Sequence, residues 1–160
     1  MIMKRINLGC GSDVRDGYEN YDMNPVDDRV KLIDLNKLPL PFDDSSVDEI
    51  ILSHIIEHLD VNPYYFIKDV YRILKKDGVV KISLPVLYNS IVHNRCYHNS
   101  GYFDSLMSKD NRVSNEYERD FFELISFKKK PFGLKNGLKK LIAFVMDLFY
   151  EEYSWELKKK

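Results

Sequence analysis

Cysteine is scarce in this 160-residue chain: there are two, Cys10 and Cys96, and neither has a CxxC or CxxH neighbour. A disulfide scaffold and a cysteine-built zinc site are therefore excluded as organising devices. Net charge is almost absent as well, with 24 Lys and Arg against 25 Asp and Glu. A dedicated nucleic-acid binder would carry a strongly basic face, so no nucleic-acid partner is expected. Long apolar runs are missing too. The longest, Leu141–Met146, is interrupted by Asp147 before Leu148-Phe149-Tyr150. That is too short to span a bilayer, and no stable membrane insertion is expected. The first residues run straight into a strand-like segment with no signal-peptide pattern, so a cytoplasmic location is expected. Repeats and low-complexity linkers are also lacking, and the length suits a single domain over 1–160.

What is present is an ordinary globular composition, 44% hydrophobic and 31% charged. The charge is divided unevenly. Residues 1–80 hold 10 basic and 15 acidic side chains, a net of -5, and residues 81–160 hold 14 and 10, a net of +4.

Apolar periodicity predicts strands over Arg5–Leu8, Gly17–Asp22, Val30–Asp34 and Val47–Ser53. The last of these reads as a strand covered on both faces. Asn62 followed by Pro63 opens a helix expected to reach Lys76, with Phe66, Val70 and Leu74 on its buried face. Lys75-Lys76 suit the helix end, and Gly78 is expected to supply a left-handed stop. A strand over Val79–Leu84 follows. Residues 1–85 thus form one half. Residues 86–120, rich in Asn, Ser, Tyr and His, read as an excursion that could serve as a lid, carrying Tyr88, His93, His98 and Tyr102. In 121–160 a strand (Phe121–Phe127), a helix (Leu138–Tyr150) and a last strand (Tyr153–Leu157) are expected. The lysines from Lys128 to Lys140 read as the solvated edge of that helix rather than a membrane contact.

Strands alternating with crossovers predict a mostly parallel α/β sheet, with ligands beyond the carboxyl ends of the strands. Strand 1 ends in Asn7-Leu8-Gly9-Cys10-Gly11, where two glycines let the backbone turn sharply under a ligand. Asp22 ends strand 2, where a carboxylate clamps ribose hydroxyls in nucleotide folds. NAD fits poorly. Val14 stands where a third glycine would, and ten residues between Gly11 and Asp22 leave little room for a crossover helix to hold a pyrophosphate.

Five segments in series carry a family resemblance: Asn7-Leu8-Gly9-Cys10-Gly11, Gly17-Tyr18-x-Asn20-x-Asp22, Leu40-Pro41-Phe42-Asp43-Asp44-Ser45-Ser46-Val47-Asp48, Ser53-His54-Ile55-Ile56-Glu57-His58-Leu59 and Arg72-Ile73-Leu74-Lys75-Lys76-Asp77-Gly78. Together they resemble class I S-adenosylmethionine-dependent methyltransferases, in the branch called type 11. The resemblance implies a Rossmann-like seven-stranded sheet in the order 3-2-1-4-5-7-6 with the last strand antiparallel. It also implies S-adenosyl-L-methionine as cofactor. Gly9, Cys10 and Gly11 would lie under the methionine part, with Asn7 beneath. Asp22, with Met23 beside it, would hold the ribose. Asp34 and the Leu35 backbone would meet the adenine. Ser53 and His54 would face the transferring methyl. The family commonly has an acidic residue at the position of Asn7 and a glycine at that of Asp13; Asp13 is a candidate to replace the lost charge.

His54 is the candidate general base, since an imidazole accepts protons near neutral pH. The acceptor is expected to be a small molecule or glycan-like, and a homodimer or a partner chain is compatible with the sequence. The alternatives are a cofactor-binding accessory subunit or non-catalytic descendant and, more remotely, a zinc hydrolase through His54-Ile55-Ile56-Glu57-His58, which matches HxxEH.

Overall fold

The structure is a computed structural model that describes residues 3–85, 122–131 and 150–160. The expected excursion lies outside the described residues, as does the helix expected over Leu138–Tyr150 except for Tyr150 itself, which opens a strand rather than closing a helix. The elements are β1 (Arg5–Leu8), β2 (Glu19–Asp22), β3 (Val30–Leu32), β4 (Val47–Ser53), a single 3-10 turn (Ile56–His58), α1 (Pro63–Ile73), β5 (Leu74–Pro85), β6 (Phe122–Pro131) and β7 (Tyr150–Lys159). They form one sheet in the order β3-β2-β1-β4-β5-β7-β6. The first five strands run parallel, and β7 is antiparallel to both β5 and β6. This is the α/β Rossmann-like arrangement implied by the resemblance. No helix among the described residues is long and apolar enough to cross a membrane.

Alternation along the strands divides the sheet into two unlike faces. Ile6, Leu8, Ile50, Leu52, Val80, Ile82, Trp155 and Leu157 pack into one buried cluster with Phe66, Ile67, Val70 and Ile73 of α1. The residues between them are mostly polar: Arg5, Glu49, Ser53, Lys81, Ser83, Ser154 and Glu156 point the other way. Among the described residues the packed apolar cluster lies on one face only. Ile51 is buried on the second face, but its neighbours across the sheet there are Asn7 and Lys81.

Right-handed crossovers explain the asymmetry. The path β4–α1–β5 moves one way across the sheet and places α1 on the apolar face. The paths β1–β2 and β2–β3 move the other way, so their connections fall on the opposite face. Neither connection contains a helix.

The helix starts as read, with Asn62 Oδ1 accepting from the Tyr64 N–H and Pro63 at its first position. It stops at Ile73 rather than Lys76, because Leu74 is already paired with Val47 in the sheet. Its last carbonyls are taken from outside. The N–H groups of Ser45 and Ser46 donate to Arg72 and Ile73, and the Lys159 ammonium donates to Tyr71 and Leu74 at 2.9 and 2.8 Å. The left-handed residue is Asp77 (φ 63), not Gly78. Gly78 is needed for space instead: a Cβ there would lie 2.8 Å from the Lys75 carbonyl oxygen. The buried Asp69 accepts from the Leu40 N–H and from Arg72, whose guanidinium also donates to the Leu40 and Phe42 carbonyls. That pair fixes the proline-punctuated loop on the apolar face.

Candidate functional site

The carboxyl ends of β1, β2, β3 and β4 bring the predicted residues to one edge of the sheet. Gly9 and Gly11 have φ of 66 and 49, a region where a side chain is strained. Gly9 and Cys10 both donate their N–H to the Tyr21 carbonyl, at 2.8 and 3.1 Å, and the Gly11 N–H donates to Asp22 Oδ2 at 2.8 Å. The two glycines differ in purpose. A Cβ on Gly9 would sit 2.3 Å from Ile55 Cγ1, so Gly9 serves packing beneath the loop. A Cβ on Gly11 would meet nothing within 4 Å, so Gly11 borders open space.

Asp22 is half-buried, and its Oδ1 accepts from the Asn24 N–H at 2.9 Å. Each oxygen therefore has one backbone partner and a further lone pair. Met23 beside it is exposed. Asp34 accepts from the Asn36 N–H at 3.0 Å and faces Lys37 at 3.3 Å, while Leu35 is buried. The Cys10 thiol is buried; that burial, with the Asp22 charge nearby, raises its pKa and keeps it protonated.

Asn7 lies beneath the loop, 1% exposed. Its Nδ2 donates to the Asp13 carbonyl at 2.8 Å and to Asn20 Oδ1 at 3.1 Å. Asn20, also buried, accepts from the Arg15 N–H and donates to the Arg15 and Tyr18 carbonyls. Two side-chain amides thus satisfy a crossover that is too short to satisfy itself by forming a helix. The Asp13 carboxylate is engaged by Arg15 at 2.6 Å. The sequence reading placed Asn20 in a motif but gave it no role.

Ser53 ends β4, and His54 follows with φ 51. The His54 N–H donates to the Ser83 carbonyl. Its ring lies between two carboxylates, with Nε2 2.8 Å from Glu152 Oε2 and Nδ1 3.6 Å from Glu57 Oε1. Glu152 belongs to β7, 98 residues away, and nothing in the local sequence around His54 points to it. Glu57 is 2% exposed, and its Oε2 has no hydrogen-bond partner among the described residues. The HxxEH segment is one 3-10 turn, so His54 and His58 do not share an α-helical face. Among the described residues no cluster of His, Cys, Asp and Glu could hold a metal ion.

The carboxylates, Glu57 first and Glu152 after it, raise the His54 pKa above its ordinary 6.5 against the opposing effect of burial. A raised folded-state pKa contributes stability that is complete below the ordinary value and lost as pH rises through the raised one. The native chain should therefore exceed His54→Gln in melting temperature by more near pH 6 than near pH 8.5. An advantage that stays constant across that range would mean the ring is held by contacts other than its charge.

A family described as "hypothetical methyltransferase" matches residues 6–146. The ribosomal RNA-processing protein 8 of Caenorhabditis elegans is 28% identical over 144 residues, covering 81% of this chain and 39% of that protein. Its Caenorhabditis briggsae counterpart is 27% identical with 81% and 40% covered. The chain thus spans about two fifths of the length of the curated relatives it matches. Among solved structures, an S-adenosylmethionine-dependent methyltransferase from Mesorhizobium loti superposes with a TM-score of 0.66 at 12% identity, over 99% of this chain and 91% of that one. One from Archaeoglobus fulgidus gives 0.63 at 17%, over 98% and 86%. A Haloferax volcanii methyltransferase solved with the Trm112 methyltransferase activator gives 0.64 at 13%, over 99% and 82%. At these identities the structures bear on the fold alone.

Proposed function

This chain belongs to the methyltransferase family that matches residues 6–146, and from that premise we propose that it binds S-adenosyl-L-methionine and transfers the methyl group to a small-molecule or glycan-like acceptor. The observation that carries the reading is the cradle made by Gly11 and Asp22. A loop N–H fixes the carboxylate, and open space lies beside the glycine that a side chain would fill. When bound, the cofactor supplies a methyl carbon activated by its sulfonium.

In this reading Asp22 accepts the two ribose hydroxyls, with Met23 against the same end of the nucleoside. Asp34 accepts from the adenine amino group, and the Leu35 backbone lies beside the ring. Gly9, Cys10 and Gly11 carry the methionine part on their backbone. Asn7 acts from below, by pinning the loop. Ser53 borders the methyl. His54 takes the acceptor's proton in its neutral form, which the two carboxylates confine to higher pH, with Glu152 fixing the ring orientation through Nε2.

The name of the relatives favours a second reading, an RNA acceptor. The absence of net positive charge favours the small acceptor over it. A partner chain is another way to complete the acceptor site.

Thermal melting tests the cofactor. A ligand that binds only the folded state stabilises it by about 2.7 kcal/mol at a hundredfold excess over Kd. S-adenosylhomocysteine should raise the melting temperature by several degrees and NAD should not. Protection by NAD alone would overturn the assignment.

A further inference from the structure

Both nitrogens of the His54 ring are spoken for. Nε2 lies 2.8 Å from Glu152 Oε2, and Nδ1 lies 3.6 Å from Glu57 Oε1. A base needs a free lone pair, and a neutral imidazole has one N–H and one lone pair to distribute. Once neutral, the ring can therefore donate to only one of its two carboxylates. The one it keeps decides which nitrogen takes the acceptor's proton.

Distance favours Glu152, burial favours Glu57, and burial decides. The Glu152 side chain is 24% exposed, and its Oε1 accepts from the Ser154 hydroxyl at 3.0 Å, so water can replace the ring there. The Glu57 side chain is 3% exposed, and its Oε2 has no hydrogen-bond partner among the described residues. Without the ring it would be a buried charge with no donor, which costs far more than releasing a carboxylate to water. The backbone favours the same choice. His54 leaves β4 with φ 51, a strained conformation for a residue with a side chain. The 3-10 turn that follows brings Glu57, three residues on, against the ring. Glu152 comes from another strand, opposite Pro85 of β5 and Lys130 of β6. Among the described residues these two carboxylates are the charged groups that face the ring. Leu8 and Leu52 are register partners, so His54 stands beside the Gly9-Cys10-Gly11 loop.

We propose that Glu57 is the positioning residue of His54: it keeps the N–H of the neutral ring on Nδ1, and Glu152 holds Nε2 only until the acceptor's proton-bearing group takes its place. At 3.6 Å the Nδ1 contact is longer than a hydrogen bond, so the ring closes on Glu57 as Glu152 lets go. The acceptor's proton passes to the Nε2 lone pair. The electron pair of the broken bond stays on the acceptor atom, which has used one pair to bind carbon. The ring becomes an imidazolium with Nδ1–H still on Glu57. The inference rests on the methyl-transfer reading for the acceptor, and on these three side chains alone for the tautomer.

The test is imidazole ¹⁵N spectroscopy on the full chain with labelled histidine, at a pH above the His54 titration, with His54→Gln identifying its signals. Neutral His54 should carry its proton on Nδ1 and none on Nε2. Glu57→Gln should move the proton to Nε2 and lower the titration midpoint of the ring, while Glu152→Gln should leave it on Nδ1. The native spectrum is decisive by itself, since a proton on Nε2 there would overturn the proposal. A proton unmoved in Glu57→Gln, or moved to Nε2 in Glu152→Gln, would overturn it as well. S-adenosylhomocysteine is then added to the native chain. A response to it together with a proton on Nε2 would overturn the role of Glu57 and leave the methyl-transfer reading standing. A proton on Nδ1 in a chain that ignores S-adenosylhomocysteine would overturn the role of the pair in methyl transfer.

Discussion

Asn7→Asp should destabilise the chain by about 3–5 kcal/mol at neutral pH, although it installs the residue common in the resembling family. The Asn7 amide donates to two oxygens, the Asp13 carbonyl and Asn20 Oδ1, from a position 1% exposed. A carboxylate cannot donate. It would face both oxygens as an unpaired buried charge, and removing one half of a buried polar arrangement costs more than the arrangement itself contributes. Against a typical total of about 5–15 kcal/mol this is a large fraction. Acidification should restore part of the loss, because a protonated carboxyl again donates one hydrogen bond. Urea unfolding of both proteins near pH 8 and near pH 5 measures the difference. Equal midpoints at the higher pH would show that the crossover is held without Asn7.

Asp22→Ala should weaken S-adenosylhomocysteine binding by roughly 2–4 kcal/mol, a factor of tens to about a thousand. Two effects combine. The hydroxyl acceptors assigned to the ribose disappear, and the Gly11 and Asn24 N–H groups lose the oxygens that order the loop. Asp22→Asn separates them. It keeps an oxygen for the Gly11 N–H and loses the charge, so an intermediate loss of about tenfold is expected. Calorimetric titration decides between them; unchanged affinity in Asp22→Ala would end the ribose assignment.

The carboxyl-end loops were legible because their signals are local. Gly9-Cys10-Gly11 after an apolar strand, and Asp22 and Asp34 just past their strands, each declare themselves within a few residues. β1 and β4 occupy the spans read from their apolar runs. The helix end was misread because Lys75, Lys76 and Gly78 make a plausible terminus on their own, while the residue that overrides them is Val47, a sheet partner 27 positions away. Glu152 was missed for the same reason: it reaches His54 only once β7 has paired with β5. The two unlike faces of β5 were available in the alternation of Val80, Ile82 and Leu84 with Lys81 and Ser83. The same division was obscured in β4 by Ile50-Ile51-Leu52, where an apolar side chain stands on the polar face.

The placing of β7 between β5 and β6 has a consequence for the order of assembly. Among the described residues β6 pairs with no strand but β7, which follows it in the chain, so it has no partner there until β7 has been made. During synthesis, Phe122–Pro131 therefore waits as a solitary strand with Leu124, Ile125 and Phe127 uncovered. A strand that waits without a partner invites other chains. Lys128-Lys129-Lys130-Pro131 gives that strand three like charges and a residue without an N–H at its end. These are the features that keep an unpaired edge from recruiting a neighbour, and here they guard the interval before β7 arrives.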